Sequence, residues 1–245
     1  MSIAENLVTI AENVPKVYDA GKTAGKEAER RTFWEALTKN GAKSEYYYTF
    51  SENKWNANNF KPTCDIVPTE ADHMFYRHNY GGKAYDLAKQ LMDYGGRLDL
   101  SNCTLGNYTF ESAVISRLPE INNSVGTFTC FFRNCKELVT IDKIIVSDAG
   151  DQPFTQTFGA CNKLANITFE GVIGRSITFP TSPLSIESMK NIINALKDYA
   201  GTDSEYTYTL TFKSDRWAVL DAEGATAPGG VTWRDYITVK GWKAA

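Results

Sequence analysis

The sequence predicts an α+β protein: a short repeat solenoid with a parallel β-sheet, helices at its N-terminal end, and a capping helix and strand at its C-terminal end. Three observations lead there. Residues Phe132-Arg133-Asn134-Cys135-Lys136-Glu137-Leu138-Val139-Thr140-Ile141 and Phe158-Gly159-Ala160-Cys161-Asn162-Lys163-Leu164-Ala165-Asn166-Ile167 share the pattern F-x-x-C-x-x-L-x-x-I at an offset of 26 residues. The triplets Ile167-Thr168-Phe169, Ile177-Thr178-Phe179 and Leu210-Thr211-Phe212 each read as an apolar-Thr-Phe strand core. Residues 185 to 200 set Ile186, Met189, Ile192, Ile193, Leu196 and Tyr199 on one helical face, with Ser185 as cap and Gly201 as stop. A single unit of this size cannot bury its own inward residues. Stacked units share one continuous core, with Cys and Phe filling the turn behind each strand.

Taken in order, the chain divides into three parts. Residues 1–42 read as an N-terminal helical segment for docking or oligomerisation. Ile3, Leu7, Ile10, Val14 and Val17 follow an a/d spacing, the seam along which helices associate. Pro15 interrupts that seam, because an interior proline removes a hydrogen bond and clashes with the preceding turn. One short helix therefore ends at Asn13-Val14 and a second starts there, running to about Lys39 before Asn40-Gly41. Its small stripe of Val17, Gly21, Ala24 and Ala28 lets another helix approach closely. The segment reads either as an oligomerising stalk or as a helix packed on its own domain.

Residues 43–96 read as an aromatic-rich cap or linker followed by a helix. Tyr46-Tyr47-Tyr48-Thr49-Phe50, Lys54-Trp55 and Phe60-Lys61-Pro62 suit either a platform for sugar rings or peptide, or short strands that cover one end of the repeat core. The pattern Ala84, Leu87, Ala88, Leu91, Met92 predicts a helix from Gly82 to Gly96.

Residues 97–245 are the predicted repeat domain with its C-terminal cap. Leu98-Asp99-Leu100-Ser101-Asn102-Cys103 fits the L-x-L-x-x-(N/C) core of a leucine-rich repeat, and the 26-residue offset lies within that class. Phe110 with Leu118-Pro119-Glu120-Ile121 reads as a further repeat carrying an insertion. A final strand is expected from Tyr206 to Lys213, then a Gly-rich connection from Asp221 to Gly230 and a short amphipathic end from Trp233 to Trp242.

Composition narrows the function classes. The 245 residues are 42% hydrophobic and 22% charged, ordinary for a globular chain. A net charge of -3 without a basic stripe disfavours a nucleic-acid partner, since counterion release needs clustered Lys and Arg. No apolar run approaches the roughly 20 residues of a membrane span, so no membrane insertion is expected. Met1-Ser2-Ile3-Ala4-Glu5-Asn6 lacks a basic start with an apolar stretch behind it, so no signal peptide is read. Five cysteines without a CxxC pair read as reduced thiols, with Cys103, Cys135 and Cys161 at repeat positions.

No chemistry-bearing constellation emerges, and no cofactor, metal or catalytic residue is assigned. His73 and His78, with Cys64 and Glu70 nearby, are not spaced to share a helix face as a zinc pair does. There is no G-x-S-x-G, Walker loop or G-x-G-x-x-G. Asp142, Asp148 and Asp151 fall near strand ends and form no pair that sequence alone can define. The Asn-x-Thr triplets at Asn102, Asn107 and Asn166 read as turn chemistry.

The F-x-x-C-x-x-L-x-x-I units resemble the BspA-like branch of leucine-rich repeats, common in bacteria of gut and mouth. Three further segments narrow the resemblance: Ser2-Ile3-Ala4-Glu5-Asn6 through Pro15-Lys16-Val17-Tyr18-Asp19-Ala20-Gly21-Lys22; Phe60-Lys61-Pro62 with Asp65-Ile66-Val67-Pro68-Thr69; and Leu184-Ser185-Ile186-Glu187-Ser188 with Leu196-Lys197-Asp198-Tyr199. Together they resemble leucine-rich-repeat proteins encoded by prophages and phages of Firmicutes, often beside tail genes. The resemblance covers nearly the whole chain. It implies a non-enzymatic adhesion or appendage protein, tail- or baseplate-associated in a virion, made in the bacterial cytoplasm without a signal peptide. Its partners would be a protein or a cell-surface glycan, with a homo-oligomer possible through the N-terminal helices. Secreted BspA-like adhesins carry export signals, and the lack of one here favours a virion part released by lysis. A cell-wall glycan hydrolase and an intracellular interaction module are the alternatives. The resemblance assigns no contact residue, so the binding residues are left unknown.

Overall fold

The computed structural model describes residues 71, 72, 75, 76, 98–101, 103, 106–123, 126–224 and 226–245. The predicted helices before Gly41 and between Gly82 and Gly96, the aromatic stretch after Glu45, and His73, His78, Cys64, Glu70 and Asn102 lie outside the described residues. What is described mixes helix and strand around two small parallel sheets.

The first sheet has four strands in chain order: β1 (Leu98–Asp99), β2 (Arg117–Asn122), β3 (Thr140–Ile145) and β4 (Asn166–Glu170). All neighbours are parallel, with Leu98 opposite Ile121, Ile121 opposite Ile144, and Ile144 opposite Phe169. The matched residues of the two decapeptides, Ile141 and Ile167, are themselves paired. In β2 and β3 the inward residues are three apart, Leu118 with Ile121 and Ile141 with Ile144, whereas in β4 Ile167 and Phe169 are two apart. The change in spacing coincides with an irregular register between Ile141 and Ile144. A bulge of this kind sets two residues, Asp142 and Lys143, against one on the partner strand.

Behind the strands the turns form a second ladder. Tyr108, Phe110 and Ser112 donate backbone N–H bonds to the carbonyls of Thr129, Phe131 and Arg133, and Cys130, Phe132 and Asn134 donate to Thr155, Thr157 and Gly159. Each turn holds two residues at positive φ four apart: Tyr108 and Ser112, Cys130 and Asn134, Gln156 and Ala160. The ladder carries an aromatic column. Phe75, Phe110, Phe132, Phe158 and Phe179 stack in succession at centroid separations of 4.8, 5.7, 5.5 and 4.5 Å. Phe110 therefore belongs to a unit of the same design as the two matched ones. It is not a unit with an insertion as the sequence suggested: Phe110 lies eight residues before Leu118, against nine from Phe132 to Ile141. Buried Ala113 and Ile115 fill the shorter space.

The predicted core role of the cysteines is visible in detail. Cys135 Sγ donates to Phe110 O at 2.9 Å and Cys161 Sγ to Phe132 O at 3.1 Å, each reaching back one unit. Cys103, Cys130, Cys135 and Cys161 are all buried free thiols. Burial pushes the Cys161 thiol up to about 12 and holds Cys135 well above its ordinary value.

Residues beyond Gly171 build the second sheet and three helices. β5 (Ile177–Phe179), β6 (Thr209–Phe212) and β7 (Lys243–Ala244) are parallel, with Ile177, Thr178 and Phe179 opposite Leu210, Thr211 and Phe212. Two of the three apolar-Thr-Phe triplets thus pair with each other. The predicted strand from Tyr206 begins only at Thr209, because Tyr206 adopts a positive φ in the preceding turn.

The helix α1 (Ile186–Ala195) is capped by Ser185, whose side chain accepts from Ser188 N, and it buries Met189, Ile192 and Ile193. It stops short of the predicted Gly201. Ile173 N donates to Ala195 O and Lys197 N to Ile173 O, drawing Leu196 out into a parallel bridge with Ile173. Lys240 Nζ then donates to the Ile193 and Asn194 carbonyls at 3.2 and 3.0 Å, placing a cation on the last turn of the helix. The helix α2 (Ser214–Asp221) falls where no helix was expected. The helix α3 (Trp233–Val239), capped by Thr232, accounts for the amphipathic end. Trp217, Trp233 and Trp242 are buried here, each with its indole N–H donating, to Ala245 O, Thr226 Oγ1 and Lys197 O.

Among the described residues, the outer edge of β4 meets no further strand. Helix α1 covers it with two side chains: Ile167 N donates to Ser188 Oγ at 2.9 Å, and Asn191 accepts from Phe169 N at 2.7 Å while donating to Phe169 O at 3.2 Å. The Asn191 amide thus reproduces one backbone pair of a neighbouring strand, a local solution to the exposed-edge problem.

Candidate functional site

The outward face of the first sheet presents rows of polar and charged side chains. Inward positions of β2, β3 and β4 go to the core, so the intervening residues Arg117, Glu120, Asn122, Thr140, Asp142, Lys143, Asn166, Thr168 and Glu170 stand on the other side, half-buried or exposed. Charges alternate across the strands. Arg117 grips Asp142 with both Nε and Nη2 at 3.0 Å. Lys143 lies 2.9 Å from both Glu120 and Glu170, bridging three strands. Glu170 and Glu120 hold the Lys143 ammonium above its usual range. Lys163 and Glu137 add a pair at 2.6 Å on the loops that lead into the strands.

This face is laced with opposite charges that neutralise one another. Such a surface is suited to a partner read by hydrogen bonds and shape, where long-range attraction contributes little. Asp142, the one strand-end acid that lies on it, is engaged by Arg117, while Asp148 and Asp151 are exposed in the following loop. Among the described residues no group of His, Cys, Asp and Glu could hold a metal ion. No helix of the described residues is long and apolar enough to cross a membrane.

A second polar cluster sits on the turn side. Arg133 donates through Nε to Glu111 Oε1 at 2.7 Å and through Nη1 to Gln156 Oε1 at 2.9 Å, and its guanidinium lies over Tyr108. Cys130 Sγ faces Gln156 Oε1 at 3.8 Å. Desolvation raises the Cys130 thiol despite the nearby Arg133, so it is held in the protonated, weakly nucleophilic form. The cluster ties three successive turns together, a clasp between units.

Sequence reasoning assigned no binding residue, and it passed over the charged rows. Their signal was available: Arg117 and Asp142 lie 25 residues apart and Lys143 and Glu170 lie 27 apart, close to the repeat offset. Of the Asn-x-Thr triplets, Asn107 does serve a turn, accepting from Thr127 Oγ1 at 2.6 Å, but Asn166 opens β4 and is not a turn residue. Compared with known proteins, the chain matches no protein-family model, no curated protein and no solved structure.

Proposed function

We propose that this chain is a non-enzymatic binding or structural protein, built as a leucine-rich-type solenoid over residues 97–245, that uses the outward face of its first sheet as a contact surface. The observation that carries this reading is the coincidence of repeat and register: the sequence repeat, the parallel strand pairing and the turn ladder advance together, and they leave on one side a face that is polar apart from Ile145. Stacked repeats lend themselves to broad contacts of this kind. The resemblance to prophage-encoded repeat proteins supports a place in a phage tail or baseplate, with a host-surface glycan or another virion subunit as partner. The first 42 residues would then dock or oligomerise.

The test uses purified Gram-positive cell walls as the probe, with and without their anionic polymers. Wild-type chain should co-sediment with walls. Thr168→Trp, which blocks the face, should abolish this, while a change on the turn side such as Gln156→Ala should not. Release of soluble wall fragments would favour the hydrolase. Absence of any wall binding would shift the partner to a virion subunit, sought by mass spectrometry of particles from a strain carrying the gene. Light scattering of the full chain against a version starting at Lys43 tests the oligomer. An oligomer that becomes a monomer on truncation supports the stalk, and two monomers remove it.

A further inference from the structure

From β1 to β4 each step between units rests on paired strands, and the steps from the turn at Tyr108 to the turn at Gln156 are also bridged behind the strands. At the next step both bridges stop at the same level. Phe179 lies on Phe158 with ring centroids 4.5 Å apart, so β5 follows the third turn closely. Yet among the described residues no backbone acceptor meets the N–H groups of Gln156, Phe158 and Ala160, the positions whose equivalents donate in the two turns before. On the sheet side, among the described residues, the outer edge of β4 is bonded by the Ser188 and Asn191 side chains in place of a strand.

Few polar ties cross this seam. Ser185 N donates to Ala165 O at 2.7 Å, the one backbone–backbone bond among the described residues that joins the part up to Val172 to the part from Ile173 onward. Ser182 Oγ donates to Cys161 O at 3.1 Å and Lys197 Nζ to Ala149 O at 2.9 Å. The covalent crossing is narrow and tightly seated. A Cβ at Gly171 would fall 2.2 Å from Val146 O, and one at Gly174 would fall 1.9 Å from Gly150 O. Val172 N donates back to Ser147 O, whereas Ile173 is tied forward to Ala195 and Lys197, so the change of side falls between Val172 and Ile173, and the segments from Ile173 onward are internally tied by the Ile173–Leu196 bridge, the Lys240 cap and the buried tryptophans.

We propose that residues 173–245 form a hinged cap that parts from β4 as a rigid unit, pivoting between Val172 and Ile173 and uncovering the β4 edge. Structures open in cooperative blocks along their weakest boundaries, and here the seam lacks the backbone ladder that continues on its N-terminal side. Separation exposes the Ile167 and Phe169 amides together with Ser185, and leaves the bonds inside each block intact.

Residue-resolved hydrogen exchange on the full chain tests this. Ile167, Phe169 and Ser185 should share one protection level, at least tenfold below Phe132 in the first block and Tyr199 in the cap, whose amides bond internally to Thr157 O and Lys240 O. Asn191→Leu should speed exchange of the Ile167, Phe169 and Ser185 amides together by tenfold or more, leaving them still less protected than Phe132 and Tyr199. Protection of the seam amides within twofold of Phe132 and Tyr199 in the wild type would overturn the hinge. So would a variant in which the Ile167, Phe169 and Ser185 amides quicken by clearly different factors, since each would then be fraying by itself. If Asn191→Leu does not fold, the wild-type pattern alone decides.

Discussion

The two halves of the described molecule bury their cores by different means. Between Gly106 and Glu170 the same contacts recur: one phenylalanine column, one parallel strand per unit, and a Cys Sγ reaching a carbonyl one unit back. Beyond Gly174 the column extends to Phe179, and among the described residues the other echo is the Ile-Thr-Phe and Leu-Thr-Phe pairing of β5 with β6. There the core rests on single anchors, Trp217, Trp233 and Trp242, each with its own hydrogen bond. Repetition makes each contact a link between neighbours, so damage is expected to spread along the column. Unique anchors keep damage local.

The largest expected effect tests that contrast directly. Phe132 is fully buried between the rings of Phe110 and Phe158. Phe132→Ala should cost about 3–5 kcal/mol by removing a central link, seen as a lower thermal midpoint with loss of structure across the whole first sheet. Trp233→Ala, at a more peripheral anchor, should instead lose protection around α2 and α3 first.

Next in size is the boundary between the halves. Asn191→Leu leaves the Phe169 N–H and C=O without partners, which should cost about 1–3 kcal/mol in urea denaturation. A smaller loss for Asn191→Asp, which keeps an acceptor for Phe169 N, would sharpen the assignment to backbone mimicry.

Alkaline pH separates the halves further, because the buried thiols belong to the first. A thiol that stays protonated in the fold while it ionises in the unfolded chain favours unfolding as pH rises. The stability tied to Cys161 is whole below its ordinary 9.0 and drains away as pH climbs toward about 12. Urea midpoints measured from pH 8 upward should fall less steeply for Cys161→Ala than for wild type. Equal slopes would show that the thiol carries no such linkage.

The smallest expected effect concerns the candidate contact face. A double-mutant cycle on Arg117 and Asp142 should return a coupling of roughly 0.2–1 kcal/mol that weakens with salt. A coupling that resists salt would mean the pair is a clamp between units more than an exposed surface feature.

What sequence alone disclosed follows the same division. The recurring half was legible because its contacts are periodic: F-x-x-C-x-x-L-x-x-I placed β3 and β4 in register and put both cysteines in the core. The first unit was misjudged because Ala113 and Ile115 do the work of Cys and Leu with one residue fewer. In the second half, α2 was missed because Lys213 offers no side-chain cap and its face carries only Trp217 and Leu220 inward. The early end of α1 had no local signal at all. It is imposed by the bridge to Ile173, twenty-two residues upstream of Ala195. The contact face stayed hidden for a related reason: alternating charges count as ordinary solvated residues until the register sets them side by side.

The side-chain lid that Ser188 and Asn191 place on β4 carries a consequence for descent. The helix reads only the last strand, at Ile167 and Phe169, and takes no account of how many strands precede it. Duplicating a stretch such as 141–166 within the gene would add a rung and hand the same two amides to the same terminator. Relatives with longer or shorter stacks can therefore arise by unequal crossing-over while their ends remain soluble and closed, and the breadth of the polar face becomes a heritable variable separate from the stability of its terminus.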